Sequence, residues 1–201
     1  MLLQNNPAPD RKSPRLKEYD YSAPGAYFVT VCTHGKAHIR GEIHDGKMYL
    51  SSVGEIAENE IKNIGLHYNN VSVDKYVVMP NHIHMIIVIS EQSVAEGINP
   101  FPTEKHDVSS DYENLVVTTT PNVGNAFTKT AKKYDIPNVI GKFKAAVTRS
   151  VGNAFMHSAK STIWQKSFHD HIIRNKNDYE KIWEYIDTNV VRWELDCFYT
   201  K

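Results

Sequence analysis

The chain has 201 residues, with 23 Lys and Arg against 23 Asp and Glu, 41% hydrophobic and 10% aromatic. That fits one folded domain, or one domain carrying a large insertion, and excludes a wholly disordered chain. The longest apolar run, Met85 to Ile89, is too short to cross a bilayer, MLLQNNPAPDRKSPR lacks the apolar core of a signal peptide, and two cysteines exclude a disulfide framework or a four-cysteine zinc site. Cys32 and Cys197 read as free thiols in a reducing cytoplasm.

Residues 1–24 are polar and broken by Pro7, Pro9 and Pro14, so they read as an N-terminal basic arm carrying Arg11, Lys12, Arg15 and Lys17. Tyr27 to Thr33, rich in β-branched and aromatic residues, reads as a strand. Asp45-Gly46 between two short apolar segments marks a hairpin. Ser52 and Glu55 have capping-box spacing and open a helix that the apolar spacing carries to about His67. Val71 to Met79 and His82 to Ile89 are two further strands. Joined only by Pro80-Asn81, they should pair antiparallel. Residues 91–137, with scattered Gly, Pro, Ser and Thr, read as a long polar insertion. Val139 to Phe155 has Ile140, Phe143, Ala146, Val147 and Val151 at helical spacing, with bases interleaved. Asn177 to Glu180 suggests a second capping box, with Asn177 as N-cap and a helix running to about Asn189.

The neutral total hides an asymmetry. Glu91, Glu96, Glu104, Asp107, Asp111 and Glu113 face a single base, Lys105, in the first half of the insertion. From Pro121 to Lys176 the bases dominate, and only Asp135 and Asp170 oppose them. This segment, with Lys142, Lys144, Arg149 and Arg174, is a candidate polyanion-binding face, although a solvated basic surface has the same composition. His82-Ile83-His84 lies in a strand, where alternate side chains share a face. Two imidazoles about 7 Å apart along a strand can converge on one metal. The bare pattern also describes two unrelated histidines, but in an apolar strand both need a partner. Tyr185 and Asn189 are four apart and share a helix face. That spacing fits core packing and a C-cap equally well.

Val78-Met79-Pro80-Asn81-His82-Ile83-His84 resembles the HUH motif of single-tyrosine transposases. Trp164 to Asn175, then Asp178-Tyr179, Tyr185-Ile186 and Asn189, resemble the branch called REP-associated tyrosine transposases. So do Arg15-Leu16-Lys17, Tyr19-Asp20-Tyr21 and Pro24 to Thr30. The likeness covers most of the chain apart from about 91–137. It departs from the family at that insertion and at Val190, where many members carry Pro.

The resemblance implies an α+β fold, a ferredoxin-like antiparallel sheet with helices packed on one face, and a single catalytic domain over 25–201. It implies a metal-dependent endonuclease and strand transferase acting on single-stranded or hairpin DNA through a 5′-phosphotyrosine, as a cytoplasmic monomer or homodimer. Tyr185 would be the nucleophile, and His82, His84 and Asn189 the ligands of Mg²⁺ or Mn²⁺. Lys142, Lys144, Arg149, Arg15, Lys17 and Arg174 would face DNA. Two other functions remain open: an inactive hairpin-binding protein that keeps the fold, and a zinc-dependent hydrolase built on His82 and His84.

Overall fold

The computed structural model describes residues 16, 18–91, 134–155 and 162–200. Arg15, Lys17 and nearly all of the insertion lie outside the described residues. In chain order the elements are β1 (Gly25–Cys32), β2 (Gly41–His44), β3 (Lys47–Leu50), α1 (Ser52–Lys62), α2 (Ile64–His67), β4 (Val71–Val78), β5 (His82–Ile89), α3 (Ile136–Ala154), β6 (His169–Ile173) and α4 (Lys176–Thr188). β4, β5, β1 and β6 form one antiparallel sheet in that order, and β2 and β3 pair as a separate hairpin across Asp45-Gly46. No helix of the described residues is long and apolar enough to cross a membrane.

β5 is buried along its whole length. Ile83, Met85, Ile87 and Ile89 point into a core shared with Tyr27, Val29 and Val31 of β1 and with the apolar faces of α1 and α3. Each such side chain contributes roughly 1.5–3 kcal/mol by leaving water. A one-residue slip would place His82 and His84 in that core instead, so the register of the histidines is strongly fixed. The other parity of the same strands, Ala26, Ile86 and Val88, packs with Ile173 under Tyr179 and Ile186 of α4. The expected α+β sheet with helices against it is therefore present. α1 and α3 cover one face, and α4 covers the histidine face.

Several boundaries differ from the sequence reading. The cap of α1 is Ser51, one residue earlier than expected, and its hydroxyl accepts from Gly54 N–H at 3.2 Å. Ser51 also donates to the Ile39 carbonyl at 2.7 Å, which fixes it at the helix entry. The expected helix to His67 breaks at Asn63, and a single further turn follows. α3 begins at Ile136, inside the segment read as insertion. Asp135 accepts from Asn138 N–H at 2.7 Å, and Pro137 falls in the first turn, where its missing N–H costs nothing. α4 is capped by Asn175, whose side chain accepts from Asp178 N–H at 2.9 Å, not by Asn177. Residues 18–24 pack on the body: Tyr21 is buried, and its hydroxyl donates to Asp170 at 2.7 Å. Cys32 is buried and Cys197 exposed, and neither is in a disulfide.

Candidate metal and tyrosine site

His82 and His84 leave β5 on the α4 face with ring centroids 4.4 Å apart, and both are buried. The sheet pins them from behind. His84 pairs with Thr30 across β1, and its Nδ1 lies 2.8 Å from the Thr30 hydroxyl. His82 Nδ1 lies 2.9 Å from Asn81 Oδ1. Asn81 spends its Nδ2 on the Phe198 carbonyl at 2.8 Å, so its oxygen faces His82 and can only accept. The His82 proton therefore sits on Nδ1 and Nε2 presents a bare lone pair. Burial, reinforced by the neighbouring His84, pushes His82 down to about 2, and burial lowers His84 as well. Both rings are neutral at physiological pH, the state that binds a metal.

α4 supplies the rest. Tyr185 stands on the face predicted for it, 37% exposed, with its ring centroid 5.1 Å from His84. Asn189, at the C-cap of α4, is 2% exposed. Tyr179, six residues earlier, is 1% exposed, and its hydroxyl donates to Asp74 at 3.0 Å on another side of the helix. The helical turn thus separates the two tyrosines, and only Tyr185 meets the histidines.

Asp196 was not anticipated. The chain reverses after α4 through a short 3₁₀ turn, Trp193–Leu195, and brings this carboxylate back over the histidines. Asp196 Oδ2 accepts from the Tyr185 hydroxyl at 2.8 Å and from Asn189 Nδ2 at 2.7 Å, and Oδ1 accepts from Phe198 N–H. It lies 4.0 Å from His84 Nε2. Ligand atoms of His82, His84 and Asp196 all fall within 4.8 Å of one another. Burial alone would raise the Asp196 carboxyl, but His84, the Phe198 N–H, Tyr185 and Asn189 together hold it well below the usual range. Burial, then the bond to Asp196, raises the Tyr185 phenol, so it is protonated in this arrangement. Phe198 closes the site, 4.8 Å from the His82 ring.

Two buried atoms here lack a hydrogen-bond partner: His82 Nε2 and Asn189 Oδ1. Both are acceptors, and burying unpaired acceptors is unfavourable. A cation bound by both would satisfy them together. Imidazole nitrogens and an amide oxygen, with a carboxylate beside them, fit Mg²⁺, Mn²⁺ or Zn²⁺.

Among the described residues, the bases anticipated for DNA do not form one face. Lys144 donates to the carbonyls of Gln165 and Ser167, at 2.8 Å each, and holds that loop against α3. Lys142 and Arg149, seven residues apart, are exposed and line a groove of about 440 Å³ with His67, Tyr68 and Tyr134. Because α3 packs on the Ile83 side of β5, this groove lies across the sheet from His82 and His84. Arg174 is exposed just ahead of α4, and Arg15 and Lys17 lie outside the described residues. His171 is occupied by Asp178 at 2.8 Å.

No family model matches the chain. An uncharacterized protein of Haemophilus influenzae is 34% identical over 189 residues, which span 94% of this chain and 93% of that protein. The chain belongs to one family with it. The solved structure of a REP-associated tyrosine transposase bound to a REP hairpin has a TM-score of 0.52 at 19% identity, covering 89% of this chain and 74% of that one. The chain thus has the fold of the REP-associated tyrosine transposases, the family its motifs resemble.

Proposed function

We propose that the protein is a metal-dependent single-stranded DNA endonuclease and strand transferase, acting through a 5′-phosphotyrosine on hairpin-forming repeat DNA. One observation carries this reading: two buried, partnerless acceptors, His82 Nε2 and Asn189 Oδ1, stand near Tyr185, a partly exposed residue whose hydroxyl shares Asp196 with Asn189. His82, His84 and Asn189 would hold Mg²⁺ or Mn²⁺, which supplies a Lewis acid for a phosphate oxygen and keeps positions open for it. The solved relative in fold is bound to a REP hairpin, which supports DNA of that class as substrate.

The residues divide the work. Tyr185 attacks phosphorus; the Tyr185 O–P bond forms and the P–O3′ bond breaks. Its proton already lies in a hydrogen bond to Asp196 Oδ2, which is placed to receive it. The departing strand leaves with a 3′-hydroxyl, protonated from solvent. Attack by another 3′-hydroxyl reverses the step, so no external energy source is needed. Trp193 and Phe198, with ring centroids 5.8 and 4.8 Å from His82, exclude water from the histidine side. Lys142, Arg149 and Arg174, together with Arg15 and Lys17, are the candidate phosphate contacts.

The test uses hairpin DNA labelled at its 3′ end, because a 5′-phosphotyrosine retains the strand 3′ of the cut. With Mn²⁺, label should migrate with the protein on a denaturing gel, and chelator should abolish it. Free label alone would contradict the covalent step. The His82, His84 and Asp196 group also favours a second reading, a zinc hydrolase. That enzyme would release free product and would not need the Tyr185 hydroxyl.

A further inference from the structure

The Asn189 side chain has two chemically opposite ends. Nδ2 donates to Asp196 Oδ2 at 2.7 Å, while Oδ1 is buried without a partner. His82 Nε2 is also buried and partnerless, and it carries a lone pair because Asn81 accepts the Nδ1 proton. A turned Asn189 amide would aim Nδ2 at His82 and satisfy Nε2 with no cation. The same turn would press Oδ1 onto Asp196 Oδ2. Two acceptors would then meet, and a carboxylate has no hydrogen to offer. Asp196 is itself held from three directions, by Tyr185, Asn189 and the Phe198 N–H.

We propose that Asp196 is a positioning residue that locks the Asn189 amide with its oxygen toward His82, and so keeps the site from closing on itself. This rests on the metal-site reading above and goes beyond its ligand set. Asp196 lies outside the coordinating atoms and acts through Asn189, as outer partners do for metal-bound histidines. The same Oδ2 also takes the Tyr185 hydroxyl, so one oxygen sets both the ligand and the nucleophile.

The experiment titrates Mn²⁺ into the full chain without DNA and reads free Mn²⁺ by electron paramagnetic resonance. Asp196→Asn supplies an N–H that lets the Asn189 amide turn, and Mn²⁺ affinity should fall about ten- to a hundredfold. Asn189→Asp presents two like oxygens and leaves nothing to orient. In that background Asp196→Asn should change affinity by no more than about twofold. An equal loss in both backgrounds would make Asp196 a direct ligand and overturn the proposal, as would no loss in either. A wild-type chain that binds no Mn²⁺ would instead sink the metal reading itself. Should Asp196→Asn fail to fold, nuclear magnetic resonance of the wild-type chain decides. Added Mg²⁺ should shift the Asn189 side-chain carbonyl carbon, with the Asn189 NH₂ still bonded to Asp196. A larger shift at the Asp196 carboxyl carbon would refute the assignment.

Discussion

Replacing each of two tyrosines on α4 by phenylalanine should produce opposite results. Tyr185→Phe keeps the ring that packs 5.1 Å from His84 and removes only the oxygen. Asp196 keeps its bonds from Asn189 and the Phe198 N–H, and the one buried atom that loses a partner is His84 Nε2, 3.2 Å from the Tyr185 hydroxyl. The stability cost should be about 1 kcal/mol, or about 2–4 °C in Tm for a chain of this size. Tyr179→Phe removes a bond of 3.0 Å to the half-buried Asp74 carboxyl from a side chain that is 1% exposed. A hydrogen bond to a charged partner is worth about 1.5–3 kcal/mol, so Tm should fall by about 3–12 °C. The assay pairs thermal unfolding by circular dichroism with the 3′-labelled hairpin gel. Tyr185→Phe should melt close to wild type and form no covalent adduct. Tyr179→Phe should melt lower and still form the adduct below its Tm. An adduct on the Tyr185→Phe protein, or peptide mapping of DNA to Tyr179, would refute the assignment.

Acid should destabilise the metal-free protein through the histidines. Their folded pKa values lie below the unfolded value of about 6.5, so below that pH the unfolded chain binds protons that the folded chain refuses. Stability should fall on acidification by up to about 2.7 kcal/mol per pH unit for the two rings, and urea titrations between pH 7 and 5 in His82→Gln/His84→Gln should show a clearly flatter dependence. For DNA, Lys142→Ala/Arg149→Ala should lower the log–log salt slope of single-strand binding by about 1.4. Lys144→Ala should leave that slope unchanged, because its amine is bonded to two carbonyls. Arg40 is fully buried over the Trp164 ring at 4.6 Å, with neither terminal nitrogen bonded, and burial lowers it to about 9. Arg40→Met should stabilise by about 1–3 kcal/mol, because burying the guanidinium costs more than its cation–π attraction to the ring returns. A lower Tm would show that the guanidinium is satisfied.

What the sequence made legible was whatever rests on local pattern. β5 matches its expected bounds because an apolar run flanked by Pro80-Asn81 has few other solutions. The Tyr185–Asn189 face follows from the helical repeat alone. Caps are harder to place, since Ser51 and Ser52, or Asn175 and Asn177, differ only in the tertiary contacts they find. β6 escaped because His169-Asp170-His171 has no strand pattern of its own and becomes a strand by pairing with β1. Asp196 gave no local signal: its role comes from the chain reversing after α4. Charge spacing in the basic helix does not reveal that the Lys144 amine bonds two carbonyls or that Lys142 and Arg149 lie across the sheet from the histidines.

Asn81 has a further consequence. One amide reads the protonation of His82 with its oxygen and grips the Phe198 carbonyl with its nitrogen. Occupancy at His82 and docking of residues 193–200 are therefore thermodynamically linked, and linkage of this kind is reciprocal. A cation that favours the Nδ1-protonated ring also tightens the hold on the final turn, and loosening that turn weakens the cation. The amide of Tyr199, bonded to the Asp196 carbonyl at 3.0 Å, becomes a remote reporter. Its hydrogen exchange should slow as the histidines fill, although it touches neither of them.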